Sequence, residues 1–192
     1  MYLLPLFLAI SPFVSATTYF LTVFAPNTEV DGALLNAAAQ GFYAGISGPS
    51  TYCPQGVTCP DVQGSLVYAG LTGMAVAVPG GQAIYVAPSG QIEYTQAHSA
   101  YEPPGALTGG WFNKTVVSEC DPARDVLDFL PVDGSSSGGI KICPQVEEYM
   151  AGTGASYRLY AGTAAFNLTD CINAIGLNMH GVAANYGCWQ YT

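Results

Sequence analysis

Two histidines, a set of carboxylates, two sequons and six cysteines are the places where this chain could do chemistry. His98 and His180 are the only imidazoles. A serine or cysteine nucleophile would need one of them as its base. No G-x-S-x-G elbow accompanies them. His98 falls in a loop-like stretch, 97–104, and His180 lies near a strand end. Each is read as structural or solvated, and no catalytic residue is assigned.

Paired carboxylates could hydrolyse a glycoside if held about 5 Å or about 6.5–9.5 Å apart. Glu93 with Glu102, and Glu147 with Glu148, are the candidates. Neighbours such as Glu147 and Glu148 would face opposite ways in a strand. Glu119, Asp121, Asp125 and Asp128 cluster around Cys120, with Asp133-Gly134 beyond. Oxygen ligands could hold calcium, but the spacing fits no EF-hand loop. An acidic solvated loop partly neutralised by Arg124 is the favoured reading, so no metal site is assigned. Gly152-Thr153-Gly154 lacks the lysine of a phosphate loop, and no cofactor is expected. Asn113-Lys114-Thr115 and Asn167-Leu168-Thr169 are N-glycosylation sequons, and at least one of Asn113 and Asn167 is expected to carry glycan. Trp111, Trp189 and thirteen tyrosines could stack on sugars, although aromatics in strands more often fill a core.

The compartment decides how the cysteines are read. Residues 1–16 are apolar, carry no charged side chain and end in Val14-Ser15-Ala16, a small-residue cleavage pattern. A bilayer-spanning helix needs about 20 apolar residues, so this segment is read as a cleaved secretory signal. The mature chain, 17–192, is then one domain. Cys53, Cys59, Cys120, Cys143, Cys171 and Cys188 all fall in it. An even number of cysteines in an exported chain reads as three disulfides, with fifteen pairings open. Sequential pairing, 53–59, 120–143 and 171–188, is the expectation. None of these spacings is CxxC-like, which argues against zinc.

Only 9% of residues are charged, and the net charge is −9. An average soluble protein has about 25% charged residues. Such a surface repels phosphate backbones, so neither nucleic acid nor an anionic membrane is an expected partner. An acidic, tyrosine-rich exterior of low charge suits an extracellular protein among neutral polysaccharides.

The elements that must position these groups are short. Glycine and proline interrupt the chain every few residues, and between them lie runs rich in Val, Ile, Tyr, Phe and Thr. The runs are 18–25, 65–68, 74–78, 82–86, 91–95, 111–117, 126–130, 140–143, 157–160 and 174–177. Pro79-Gly80-Gly81 and Pro88-Ser89-Gly90 supply turn chemistry, so 74–95 reads as a three-stranded meander. The one helical candidate is 29–40, weakened by Gly32. The chain is expected to be all-β, a single-domain antiparallel barrel or sandwich stapled by disulfides.

The order of motifs adds a resemblance. Tyr19-Phe-Leu-Thr-Val-Phe24, Gly41-Phe-Tyr-Ala-Gly45, Gly64-Ser-Leu-Val-Tyr68, Gln82-Ala-Ile-Tyr-Val-Ala87, Gly90-Gln-Ile-Glu-Tyr-Thr95 and Gly110-Trp111 come first. Val126-Leu-Asp-Phe129, Ile142-Cys143-Pro144, Tyr157-Arg-Leu-Tyr160, Cys171 and Cys188-Trp-Gln-Tyr191 follow. This order resembles the fungal PhiA-like family of small secreted cell-wall proteins, some of them IgE-binding allergens. The resemblance implies a disulfide-bearing β-fold, export to the wall or medium and no catalytic activity. Cys143, Cys171 and Cys188 match its cysteine positions best. It implies a structural or surface-interaction role, with wall polysaccharide or a host protein as partner. A host-directed effector or elicitor, and a carbohydrate-binding module or weak glycoside hydrolase, are the alternatives.

Overall fold

A computed structural model of the chain describes residues 18–118 and 122–192. The expected signal segment, 1–16, and Thr17, Glu119, Cys120 and Asp121 lie outside the described residues. Fifteen strands are formed among those described: β1 (Thr18–Phe24), β2 (Asn36–Ala38), β3 (Gly41–Ala44), β4 (Thr51–Tyr52), β5 (Val67–Tyr68), β6 (Gly73–Met74), β7 (Gln82–Val86), β8 (Ile92–Tyr94), β9 (Trp111–Val116), β10 (Arg124–Phe129), β11 (Ile140–Cys143), β12 (Tyr157–Ala161), β13 (Ile172–Ala174), β14 (Gly176–Val182) and β15 (Gln190–Tyr191). One short helix, α1 (Glu148–Ala151), and a 3-10 turn at Ala69–Leu71 complete the set. No helix among the described residues is long and apolar enough to cross a membrane.

The protein is all-β, as its punctuation predicts. Thirteen strands form one sheet in the order β13-β11-β12-β3-β8-β7-β6-β5-β1-β14-β10-β9, with β2 beside β3. Every pairing between named strands is antiparallel. The predicted meander is present as β6-β7-β8. The sheet ends at β13 on one side and β9 on the other and does not close, which corrects the barrel alternative. It wraps around its own contents instead. Leu21 and Val23 of β1, Phe42 of β3, Ile84 of β7, Leu127 of β10 and Ile142 of β11 belong to one buried cluster. A strap joins the two ends, in which Gly139 N donates to Phe129 O at 2.7 Å and Gly162 N to Gly139 O at 2.9 Å.

Strand periodicity sorts side chains between the faces. In β1, Leu21 and Val23 are buried, while Phe20, Thr22 and Phe24 are turned to the outer face and only partly covered. Thr22 Oγ1 meets His180 Nε2 at 2.8 Å there, and the His180 ring stacks on Phe20 with centroids 4.6 Å apart. Each methylene taken out of water by the inner set contributes about 0.8 kcal/mol, so this alternation fixes the register.

The expected helix at 29–40 is not formed. Gly32 takes φ 75°, Leu34 makes an isolated bridge to Thr22, and Asn36–Ala38 is strand β2. Leu35, Ala37 and Ala38 are buried, a run that suits a strand covered on both sides. A tight turn reverses the chain into β3, with Ala39 at φ 47° and Gln40 at φ 61°. Two adjacent positive φ values match the twist of a two-residue hairpin, here without the usual Asn-Gly. The helix that does form begins after Glu147, so Glu147 and Glu148 do not sit in a strand.

The disulfides depart from sequential order. Cys53 is bonded to Cys59, but Cys143 is bonded to Cys171, which corrects the expected 120–143 and 171–188 bridges. Sheet topology is the reason. β11 pairs with β13, placing Ile142 opposite Ile172 and Cys143 beside Cys171. Cys188 is a free thiol, 2% exposed, bridged through its backbone to Val76. Burial pushes this thiol up to about 12, partly offset by its hydrogen bond to Tyr191.

Candidate functional site

Two places gather polar and aromatic side chains, and they differ in kind. The first is centred on Arg158 of β12, 3% exposed on the outer face of the sheet. Register places Arg158 beside Tyr43 of β3 and opposite Cys143 of β11. A buried guanidinium needs partners for both its charge and its N–H groups. Arg158 Nη2 donates to Glu93 Oε1 at 2.8 Å, and Nη1 is paired with Glu147 Oε1. The outer carboxylate oxygens are also taken. Tyr85 donates its hydroxyl to Glu93 Oε2 at 3.0 Å, and Tyr43 donates to Glu147 Oε2 at 3.0 Å. The guanidinium lies over the rings of Tyr43 and Tyr160, 5.5 Å and 5.7 Å from their centroids.

Gly41 leaves room for this cluster. A Cβ there would come within 3.1 Å of the Tyr43 ring and 3.2 Å of Arg158 Nε. Burial raises the Tyr43 phenol, with Arg158 acting against it. Tyr85 is pushed up to about 12, by burial first and then by Glu93, with a further contribution from Glu102. Glu93 and Glu102, proposed as a pair from sequence, both act by their charge to raise the Tyr85 phenol. Glu93 is nevertheless mated to Arg158 and Tyr85. Glu147 is matched with Glu93 across the guanidinium, while its sequence neighbour Glu148 is exposed.

The second place is a cleft of about 300 Å³ where the inner face of the sheet runs out past the core. Tyr19 of β1, Met179 of β14, Asp125 and Leu127 of β10, and Trp111 and Asn113 of β9 line it. Four adjacent strands thus each contribute to one wall, since Leu21 opposes Met179, Leu127 opposes Leu177 and Asn113, and Phe129 opposes Trp111. The Ala69–Leu71 turn closes one side. Trp111 packs against Phe129 with ring centroids 5.0 Å apart. Its Nε1 is buried without a hydrogen-bond partner. Thr115 donates its hydroxyl to Asp125 Oδ1 at 2.6 Å. Aromatic and thioether walls with a few convergent polar groups are the composition of a small-ligand site.

The remaining sequence candidates are dispersed. His98 is exposed in a turn at φ 63°, and exposed His180 bonds Thr22 Oγ1 on the outer face. Asp128 is held by Lys114 at 3.2 Å on the face opposite Asp125, so these two acids do not converge. No group of three or more ligand-type side chains suited to a metal occurs among the described residues. Asn113 and Asn167 are both exposed, the first on edge strand β9 and the second in the loop between β12 and β13. Sequence reasoning missed the Arg158 cluster. The lone arginine within the apolar run Tyr157-Arg158-Leu159-Tyr160 was its signal, because a cation inside a buried strand demands carboxylates from elsewhere.

No family model matches the chain, and no solved structure matches it. It is 31% identical over 197 residues to an uncharacterized secreted protein of Arthroderma benhamiae, an alignment covering all of this chain and 96% of that protein. The relative supports an extracellular destination. At that identity and coverage the chain belongs to the same family as this secreted fungal protein.

Proposed function

We propose that this is a non-enzymatic protein of the fungal cell wall, with a structural or surface-interaction role of the kind the PhiA-like resemblance implies. The observation that carries the reading is the Arg158 cluster. Glycoside hydrolysis needs one carboxyl held protonated and a second free to act on water or sugar. Glu93 and Glu147 are instead both clamped by one guanidinium and each capped by a tyrosine hydroxyl. The chain spends its most organised acids on holding strands together. The low-charge exterior supports contact with neutral wall polysaccharide rather than with nucleic acid or anionic lipid.

Fractionating a producing culture into cytosol, wall and medium tests this. The protein should be found in the wall fraction, and pure protein should be retained on insoluble β-glucan or chitin without releasing reducing sugar. Recovery from the medium alone with no retention on either polymer would count against a wall role. Sugar release would count against the non-enzymatic reading.

A further inference from the structure

We propose that Asn113 carries an N-linked glycan whose first N-acetylhexosamine is seated in the Tyr19–Trp111 cleft, so that the occupant of this cleft is the chain's own sugar. The inference rests on export and not on the wall role. Asn113 opens the sequon Asn113-Lys114-Thr115 and is exposed while lining the cleft. Strand alternation puts Trp111 on the same face, two residues away and roughly 7 Å along β9. A sugar joined to Asn113 Nδ2 is therefore delivered beside the indole. Tyr19, Leu127 and Met179 supply further apolar surface for its C–H face. Asp125, whose Oδ1 already accepts from Thr115, offers its other carboxylate oxygen to a sugar hydroxyl. Tethering makes the encounter intramolecular, at about millimolar effective concentration, so a pocket with a dissociation constant below about 1 mM would be mostly filled.

Asn167 offers no such seat. Its neighbours Phe166 and Leu168 line a polar hollow with Lys141 and Asn173, but Asn167 itself does not. A glycan there projects into solvent. The attachment at Asn113 is a transfer from a polyprenyl-pyrophosphate oligosaccharide in the secretory pathway. The Nδ2–C1 bond forms as the C1–O bond to pyrophosphate breaks. The polyprenyl pyrophosphate leaves with that electron pair, and one amide proton passes to solvent base.

The test uses protein secreted by a fungal host in an Asn167→Gln, Trp189→Phe background, so that Asn113 is the only sequon and Trp111 the only indole. Peptide mapping should find Asn113 occupied. An endo-β-N-acetylglucosaminidase, which leaves the first sugar, should leave Tm and acrylamide quenching of Trp111 fluorescence unchanged. Complete removal by peptide:N-glycosidase should lower Tm by about 2–4 °C and raise quenching. That enzyme also converts the amide to a carboxylate, so Asn113→Gln serves as the uncharged control and should show the same raised quenching. An unmodified Asn113 would overturn the proposal. So would quenching that is indifferent to complete removal, or an equal change on trimming to the first sugar.

Discussion

The Arg158 cluster and the Tyr19–Trp111 cleft are built from the same materials, tyrosines, carboxylates and one special polar side chain, yet they are opposites. Around Arg158 the charged groups are mated to one another: two carboxylates, two phenols and two ring faces converge on one guanidinium. In the cleft the aromatic walls face open volume instead, while each place keeps one buried N–H without a partner, Trp111 Nε1 here and Arg158 Nε there. A closed polar network fixes strands in place, whereas an open one has interactions left to give. The closed cluster also lies in the stapled half of the molecule, since Arg158 opposes Cys143 in the ladder.

The sharpest way to break this contrast is Arg158→Ala. Removing one partner of a buried ion pair leaves uncompensated charge, and the expected loss is about 3–5 kcal/mol of unfolding free energy. Urea denaturation followed by circular dichroism would measure it. A loss below about 1 kcal/mol would mean that the cluster is as loosely held as a surface pair.

Replacing Cys143 and Cys171 together by alanine should cost about 3–4 kcal/mol, because the bridge closes a loop of 28 residues in separation. Cys53 and Cys59 are separated by only 6, and removing that bridge should cost about 2 kcal/mol on the same reasoning. Reversal of that order in parallel denaturation curves would show that strain, not loop entropy, governs these staples.

The phenols give a pH test. Tyr85 is held at about 12 in the folded state, above its ordinary value of 10.0. The unfolded chain therefore releases this proton first. The contribution of this group is fully present below pH 10 and is lost between pH 10 and about 12. Tyr85→Phe should make the fall in Tm between pH 9.5 and 11 shallower, and an unchanged slope would remove Tyr85 from the cluster's energetics.

The smallest effect belongs to the cleft. Trp111→Phe in unglycosylated protein removes a buried N–H that has no partner, along with part of the ring. The net change in stability should be within about 1 kcal/mol, since losing an unsatisfied donor offsets lost packing. A loss as large as that of Arg158→Ala would make Trp111 a core residue and erase the contrast.

The strands were legible in proportion to their β-branched and aromatic content. Gln82–Val86 and Ile140–Cys143 match the predicted runs to the residue. The alanine-rich 29–40 stretch misled because helix propensity is local, while burial between β3 and the core is not. The disulfides misled for a related reason: pairing follows which strands are neighbours, and β11 meets β13 across 28 residues of chain. Sequence supplied Glu93, Glu147 and Arg158 as separate residues, but only the β3-β8-β12 neighbourhood with the start of α1 brings them to one point. Trp111 and Asn113 are the exception, because two residues in one strand share a face whatever the topology.

The position of β1 has a temporal consequence. Thr18 lies opposite both Tyr68 and Val182, so the first strand is completed only by one of the last. Closing so large a loop before any contact rewards it makes for slow assembly. The β1–β14 ladder therefore cannot form until the chain has been made as far as Val182, so this flank of the sheet is the last to be completed.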